Sequence, residues 1–468
     1  MPNTAFVKNT TDERNKKMFR KEKIGGWGNY PVEECFVYRP ENLRDLRELV
    51  EWQDDSYRIP RGNGRSYGDT ALNGDHSLLL LTKFNRFRSF DSEKGILECE
   101  GGTMLEEIIE FFLPRGYFLP VTPGTKFVTL GGAIANDVHG KNHHRGGCLS
   151  EHILDFKLLT ASGEILTCSR VQNKDLFWAT AGGIGLTGII LSARIRLIQI
   201  ENAMIDVDYL IAKNLEEAFE LFRQHDHKYD YSVAWIDCLA AGESLGRSVL
   251  MLGNHSPRTK INSHSLETKS AFKWNVPASM PPSLLNPYTI KGFNQFYYSS
   301  FKDGSHKTID YNSYFYPLDS ILNWNRLYGK KGFVQYQAVF PEETSMAGLT
   351  EMLKKLSESQ KASFLAVLKS FGTQNEGLLS FPFKGHTLAL DFPVKDGTIF
   401  PFLKELDELV LRYNGRIYLA KDSVLDPRTF EAMYPDLDKF KKIKKEIDPK
   451  GIFSSSMSRR LAITGDCL

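Results

Sequence analysis

Three glycine-rich stretches in the first two hundred residues constrain this chain more than any other feature. The first is Arg61-Gly62-Asn63-Gly64-Arg65-Ser66-Tyr67-Gly68-Asp69. Its glycines permit left-handed backbone and let amide N–H groups approach an anion with no side chain in between. It is neither the G-x-G-x-x-G that opens a Rossmann helix nor the G-K-[ST] of a P-loop. Alone, it reads as readily as a tight surface turn. The second, PGTKFVTLGGAIANDVHGKNHHRGG, contains Gly124, then Thr129-Leu130-Gly131-Gly132-Ala133, then His139-Gly140-Lys141-Asn142. Paired glycines ahead of a small-residue helix let a flat ring or a pyrophosphate lie against backbone, although close helix–sheet packing uses the same device. The third, FWATAGGIGLTGII, runs into a strand.

Between these stretches lie ordinary elements. RPENLRDLRELVEW places Leu43, Leu46, Leu49 and Val50 on one helical face. GGTMLEEIIEFFLPRGYFLP predicts a helix opened by a capping box, Thr103 with Glu106, and ended near Pro114. SLLLLTKF and GILECEG read as strands, and HILDFKLLTASGEILTC as two strands joined at Ala-Ser-Gly. From about 202 to 412 aromatics thicken, and strand-like runs alternate with amphipathic helices. The Ser-, Pro- and Asn-rich segment from about 255 to 300 predicts a long loop. PFLKELDELVLRYNGRIYLAKDS gives a helix with Gly415 as its C-cap and then a short strand, and the tail is a basic helix carrying Lys441, Lys442, Lys444 and Lys445.

The bulk numbers narrow the function classes. A chain of 468 residues predicts two domains, and 59 basic against 57 acidic residues gives no footprint for nucleic acid. The polar amino terminus lacks the apolar core of a secretory signal, and no run is apolar enough to span a bilayer. Six cysteines (Cys35, Cys99, Cys148, Cys168, Cys238 and Cys467) include no CxxC pair, which predicts reduced thiols and a cytoplasmic setting. His139, His143 and His144 have no Cys or carboxylate beside them to complete a metal set, so no metal is expected.

Two glycine loops ordered around a capped helix, followed by the third, resemble the FAD domain of the vanillyl-alcohol oxidase (p-cresol methylhydroxylase) superfamily. RGNGRSYGD, VTPGTKFVTLGGAIANDVHGKNHH, LFWATAGGIGLTGII and the carboxyl-terminal GRIYLAKDS, FEAMYP and FSSSMSRRL further resemble its decaprenylphosphoryl-β-D-ribose 2′-oxidase family, in order and over nearly the whole chain. The resemblance implies an α+β fold. A two-subdomain FAD-binding (PCMH-type) domain at 1–201 would be completed by 413–468, and a substrate domain built on an antiparallel sheet would be inserted at 202–412. It also implies FAD, with Arg61 to Asp69, Gly124 and Thr129 to Ala133 around the pyrophosphate and adenosine, His139 to Asn142 towards the isoalloxazine, and Ile190 and Tyr418 beside the cofactor. Many superfamily members carry a flavin-linked histidine where this chain has Arg65, so the FAD is expected to be noncovalent.

For the reaction, the resemblance implies oxidation of the 2′-hydroxyl of a polyprenylphosphoryl ribose to a ketone. A separate short-chain reductase would then complete epimerisation to the arabinose form. An alcohol giving up a hydride also needs a group for its proton. Lys421 in Ala-Lys-Asp-Ser is the first candidate, with Tyr67 and Lys141 next; outside its motif, a lysine is ordinarily a solvated surface charge. Trp235, Gln335, Gln337, Lys369, Phe371 and Thr387 match substrate-side positions. Gln335 and Gln337 alternate along a strand and so share a face. Thr387 and Ala389 depart from the residues expected in the mycobacterial form. The aromatic, basic stretch NPYTIKGFNQFYYSSFK is the expected place for peripheral membrane contact. Two other readings stand beside this one: a soluble alditol or sugar-lactone oxidase on the same scaffold, and a flavin-binding partner of a reductase without turnover.

Overall fold

The computed structural model describes residues 19–52, 56–257, 266, 274–281, 285–361, 365–395 and 397–465. Its architecture is α+β, organised by three sheets. The first is four-stranded, in the order Phe19–Gly25, Val32–Tyr38, Ser77–Leu80, Arg58–Arg61, with parallel pairings at its centre. The second is an antiparallel five-stranded sheet, in the order Phe87–Asp91, Ile96–Glu100, Ile189–Arg196, Ile153–Leu159, Ile165–Ser169. The third has eight strands, in the order Ser305–Asp310, Met204–Ala212, Ser248–His255, Tyr231–Ile236, Ala366–Phe371, Gly385–Pro393, Phe333–Pro341, Arg416–Ile417, and every pairing is antiparallel.

The eight-stranded sheet separates two environments because side chains alternate along each strand. Val334, Tyr336, Ala338, Leu368, Leu388 and Leu390 bury themselves in one core with the helices Leu215–His225, Ser345–Ser359 and Ile399–Arg412. The residues between them face the opposite way, toward the unit built on the first two sheets. The carboxyl-terminal segment returns to that unit: Arg58 N–H donates to Ile452 O at 2.8 Å and Ser454 N–H to Arg58 O at 3.0 Å.

Most predicted elements form, with shifts of physical origin. The helix Leu43–Glu51 is capped by Asn42 and buries Leu46, Leu49 and Val50, while Leu43 stays 39% exposed at its first turn. In place of a full capping box at Thr103 and Glu106, only its acidic half forms, one residue later: Met104 N–H donates to Glu107 Oε2 at 2.7 Å, opening Leu105–Phe112. After Ile399–Arg412 the left-handed residue is Asn414, at φ 57°, and Gly415 N–H closes the turn on Val410 O. Within the predicted loop at 255–300 stands a helix, Pro287–Ser299, nucleated by Asn286 accepting from Tyr288 N–H and Thr289 N–H. Lys444 is buried against Asp448, which also accepts from Ile452 and Phe453 N–H, so this lysine is structural rather than solvated. Cys35, Cys99, Cys148, Cys168 and Cys238 are free and buried, and Cys467 lies outside the described residues.

Candidate active site

A cavity of about 490 Å³ opens between the glycine loops and the eight-stranded sheet, within the size range of small-molecule sites. Its two walls are built by different means.

The first wall is largely backbone. Gly62, Asn63, Gly64, Arg65 and Ser66 line it directly after the strand Arg58–Arg61. A side chain at position 62 would stand 2.1 Å from Thr129 Oγ1, so the first two glycine loops touch only because that side chain is missing. Gly64 needs φ 63°. Thr129 caps the helix Leu130–Ala135 through Gly132 N–H, and Thr129, Gly131, Gly132 and Ala133 face the cavity. Gly124, Gly140, Ile190 and Tyr418 extend this wall, Tyr418 donating to Asn136 O at 2.8 Å. Among the described residues, Asn136 Oδ1 and His139 Nδ1 are buried on it without a partner.

The second wall is made of side chains. The sheet register places Trp235 opposite Val367, Val367 opposite Ala389, and Ala389 opposite Gln337, giving one row across four strands, all of it lining the cavity. Lys369 and Gln335 lie in neighbouring rows. The Gln337 amide donates to His139 Nε2 at 3.0 Å and to Thr387 Oγ1 at 3.3 Å, which places the imidazole proton on Nδ1. Burial and Lys369 hold His139 well below its usual pKa, so the ring is neutral.

Lys421 and Tyr67 meet where the walls join. Lys421 Nζ sits 4.0 Å from the Tyr67 ring centroid, and both residues line the cavity. Two contacts fix the pair: Tyr67 N–H donates to Ala420 O at 3.0 Å, and Gly68 approaches Asp422 O so closely that a Cβ would stand 1.8 Å away. Arg460 then clamps Asp69 and Asp422 together at 2.7 and 2.9 Å. Burial lowers the Lys421 pKa to about 7; Asp391 opposes the fall and Lys369 adds to it. Burial brings Lys141 to about 7 and Lys369 to about 8. Lys141 donates to Tyr314 O and lies 4.3 Å over the Tyr314 ring. Burial pushes the Tyr67 phenol well above 10, so it stays protonated.

Some predicted site residues stand behind the walls. The Arg61 guanidinium turns away to Ala71 O and Gly25 O, both at 2.8 Å, because the loop carbonyls there need a donor. Gly68 and Asp69 hold the Lys421 turn, and Leu130 is in the core. Asn142 donates to Pro120 O at 2.8 Å, and the Phe371 ring supports His139 and His143 at 4.8 and 4.5 Å. Thr387 is reached only through Gln337. Arg65, which does line the cavity, stacks 3.9 Å over Trp27. His143 accepts from Gly372 N–H and His144 pairs with Tyr229 O; among the described residues no group of three His, Cys, Asp or Glu is arranged to hold a metal.

Sequence reasoning missed Trp27, Asp319, Trp324, Tyr314 and Ile184, which line the cavity, and Asp391 and Tyr328 just behind it. Ile184 and Trp27 had a signal in GGIG and GGWGN; the others sit among unpatterned aromatics.

Two family models and several curated proteins match the chain. The FAD binding domain family matches residues 35–169, and the D-arabinono-1,4-lactone oxidase family matches residues 388–461. The chain is 38% identical over 453 residues to decaprenylphosphoryl-beta-D-ribose oxidase of Mycolicibacterium smegmatis, covering 94% of this chain and 98% of that one. It is 23% identical to L-gulonolactone oxidase of Scyliorhinus torazame, over 91% of this chain and 94% of that one.

Proposed function

Because the chain belongs to the family of FAD-dependent oxidoreductases that includes decaprenylphosphoryl-beta-D-ribose oxidase, we propose that it oxidises the 2′-hydroxyl of a polyprenylphosphoryl ribose to the 2′-ketone. The enzyme uses FAD, and the cavity's first wall suits that cofactor. Glycine backbone at Gly62 and Gly64 leaves room and N–H donors for a pyrophosphate, and Gly131 and Gly132, whose N–H groups bond Gly101 O and Thr129 Oγ1, leave room beside it. The unpartnered Asn136 Oδ1 and His139 Nδ1 offer an acceptor and a donor to a polar ring edge. Arg65 and its stacking on Trp27 support noncovalent attachment.

Oxidation removes a hydride from the carbinol carbon and a proton from its oxygen. Bound FAD supplies the hydride acceptor. The chain's own residues take the proton and hold the sugar. Lys421, with a pKa of about 7, has a substantial neutral fraction at neutral pH, and its amine accepts the hydroxyl proton. The Tyr67 ring under Nζ stabilises the ammonium that results. Gln335 and Gln337 offer amide groups to sugar hydroxyls, and the partly buried Lys369 and Lys141 supply positive charge for the phosphate. Lys369 carries this proposal. It lines the cavity partly buried, and among the described residues no carboxylate is paired with it by an ion pair. That arrangement suits an anionic substrate better than a neutral lactone.

A polyprenyl substrate lives in a bilayer, and the helix Pro287–Ser299 supports peripheral contact with one. Its inner face buries Ile290 and Asn294 and sends Tyr297 into the cavity wall, 4.8 Å from Trp235. Its outer face exposes Tyr288 (86%) and Phe296 (74%), and Lys291 is exposed on the other side of Tyr288. No helix among the described residues is long and apolar enough to cross a membrane. The keto product requires a second enzyme of the short-chain reductase class to set the inverted carbinol.

Anaerobic titration with a short-chain polyprenylphosphoryl ribose tests the proposal: the flavin's visible absorbance is expected to bleach in proportion to substrate. Bleaching by an aldonolactone but not by the phosphosugar would overturn it in favour of a lactone oxidase.

A further inference from the structure

Behind the cavity, the carboxylate of Asp391 is fully buried on the strand Gly385–Pro393, directly opposite Gln335 in the sheet register. Gln335 Nε2 donates to Asp391 Oδ1 at 2.6 Å, and the Tyr328 hydroxyl donates to Oδ2 at 3.2 Å. Two donors on one carboxylate favour its ionised form, whereas burial opposes it. The balance puts Asp391 at about 7, well above an ordinary aspartate. Gln335 also hydrogen-bonds Tyr67, and Lys421 Nζ lies 4.0 Å from the centroid of that ring, so carboxylate, amide, phenol and amine form one cluster in which the charge acting on Asp391 is Lys421. The effect is reciprocal: of the groups acting on Lys421, Asp391 raises its pKa while burial and Lys369 lower it.

We propose that Asp391 is a positioning residue for the oxidation, holding Gln335 against the substrate and setting the protonation of Lys421 through its buried negative charge. The inference rests on the assignment of Lys421 as proton acceptor. The groups around the pair come from four elements. Tyr67 lies under Lys421 from the first glycine loop, and Lys369 acts on it from the adjacent strand. Gln335 and Tyr328 hold Asp391 from the strand Phe333–Pro341 and the turn before it. Without Asp391, burial and Lys369 act on Lys421 unopposed, and the lysine loses its proton at lower pH. With Asp391, the lysine keeps enough affinity for a proton to take one from an alcohol. The two groups titrate as a pair, so the quantity to follow is the apparent acid limb of the reaction.

The test compares the wild-type holoenzyme with Asp391→Asn. The acid limb of kcat against pH is expected to move down by about one unit or more, because an opposing charge has been removed. An independent readout is the ¹³Cε titration of Lys421 in lysine-labelled holoenzyme, its resonance identified by its absence in Lys421→Met; it is expected to move down by the same amount. Asp391→Glu is expected to restore most of both shifts. An unmoved limb and an unmoved lysine titration in a variant that still holds flavin would overturn the inference. A moved lysine titration with no acid limb in either enzyme would instead sink the assignment of Lys421 as proton acceptor. Where Asp391→Asn does not hold flavin, Tyr328→Phe makes the same test. Loss of one donor makes the acid harder to ionise, so the limb is expected to move the same way by a smaller amount, and no movement overturns the inference.

Discussion

The two walls of the cavity differ in what their sequences have to encode. The glycine-loop wall works by the absence of side chains: Gly62 must be bare to meet Thr129, and Gly131 to lie 2.9 Å (measured to a would-be Cβ) from Gly101 O. The sheet wall works by their presence, through Trp235, Gln335, Gln337, Lys369 and, at the junction, Lys421. The first wall is drawn mainly from short glycine motifs that are legible one by one, and it is generic in chemistry, as befits a cofactor shared by many oxidases. The second is assembled from positions up to nearly two hundred residues apart and is particular to a substrate. A change on one wall should therefore alter flavin binding, and a change on the other should alter turnover.

The largest effect is expected from Lys421→Ala. Removing the amine that takes the hydroxyl proton should lower kcat by about 10³-fold, within the usual range for a general base. The visible spectrum of the bound flavin should not change. Equal loss of flavin and turnover would break the comparison, because Lys421 would then belong to the cofactor wall.

Gly62→Ala makes the converse change. The new methyl would meet Thr129 Oγ1 at 2.1 Å, and the loops would have to part. Overpacking of this kind costs about 1–3 kcal/mol, which should appear as a weaker FAD dissociation constant by about tenfold or more. Turnover per bound flavin should stay near that of the wild type. Fluorescence titration of FAD into apoprotein, with rates normalised to flavin content, separates the two quantities.

The same difference explains how much could be read from the chain alone. RGNGRSYGD and VTLGGAIAN announce themselves because glycine has few other reasons to recur so closely. Even there, Arg61, Asp69 and Asn142 turned out to serve loop carbonyls or the Arg460 clamp and not the cavity. A local motif does not reveal which way a polar side chain points. On the sheet wall, the alternation of Gln335 and Gln337 was visible, but their partners were not. Asp391 is 56 residues from Gln335 and meets it only through strand register. Nothing in ALDFP marks that aspartate as buried. The helix Pro287–Ser299 escaped notice because its Pro, Asn and Ser are loop formers everywhere except at a helix start, where Asn286 and Pro287 serve as N-cap and first residue.

Lys369→Met should sharpen the comparison within the sheet wall by separating substrate binding from proton transfer. Losing one charged contact to phosphate should raise KM by about tenfold while kcat changes less than about threefold. The pH profile carries the same distinction. Lys421 acts as a base only when neutral, so kcat/KM should rise as pH passes about 7. Lys369 attracts phosphate only when protonated, so kcat/KM should fall again as pH passes about 8. In Lys369→Met the rise should remain and the fall should weaken.

The smallest effect is expected farthest from the chemistry, on the outer face of Pro287–Ser299. Phe296 is 74% exposed, so its replacement by Ser removes little from the folded core and should leave the melting temperature and the flavin content alone. It is not part of the cavity lining, which Tyr297 joins from about 100° around the helix, so activity on a short-chain, water-soluble substrate should not change. What should change is partition onto anionic vesicles, weakened severalfold in sedimentation assays, because an exposed aromatic on a helix that also exposes a lysine is the kind of group that enters a lipid interface. Activity on long-chain substrate presented in those vesicles should fall in step. Unchanged partition in Phe296→Ser and in Tyr288→Ser would remove this helix from the membrane surface. The sheet wall would then have to receive its lipid substrate by another edge of the cavity.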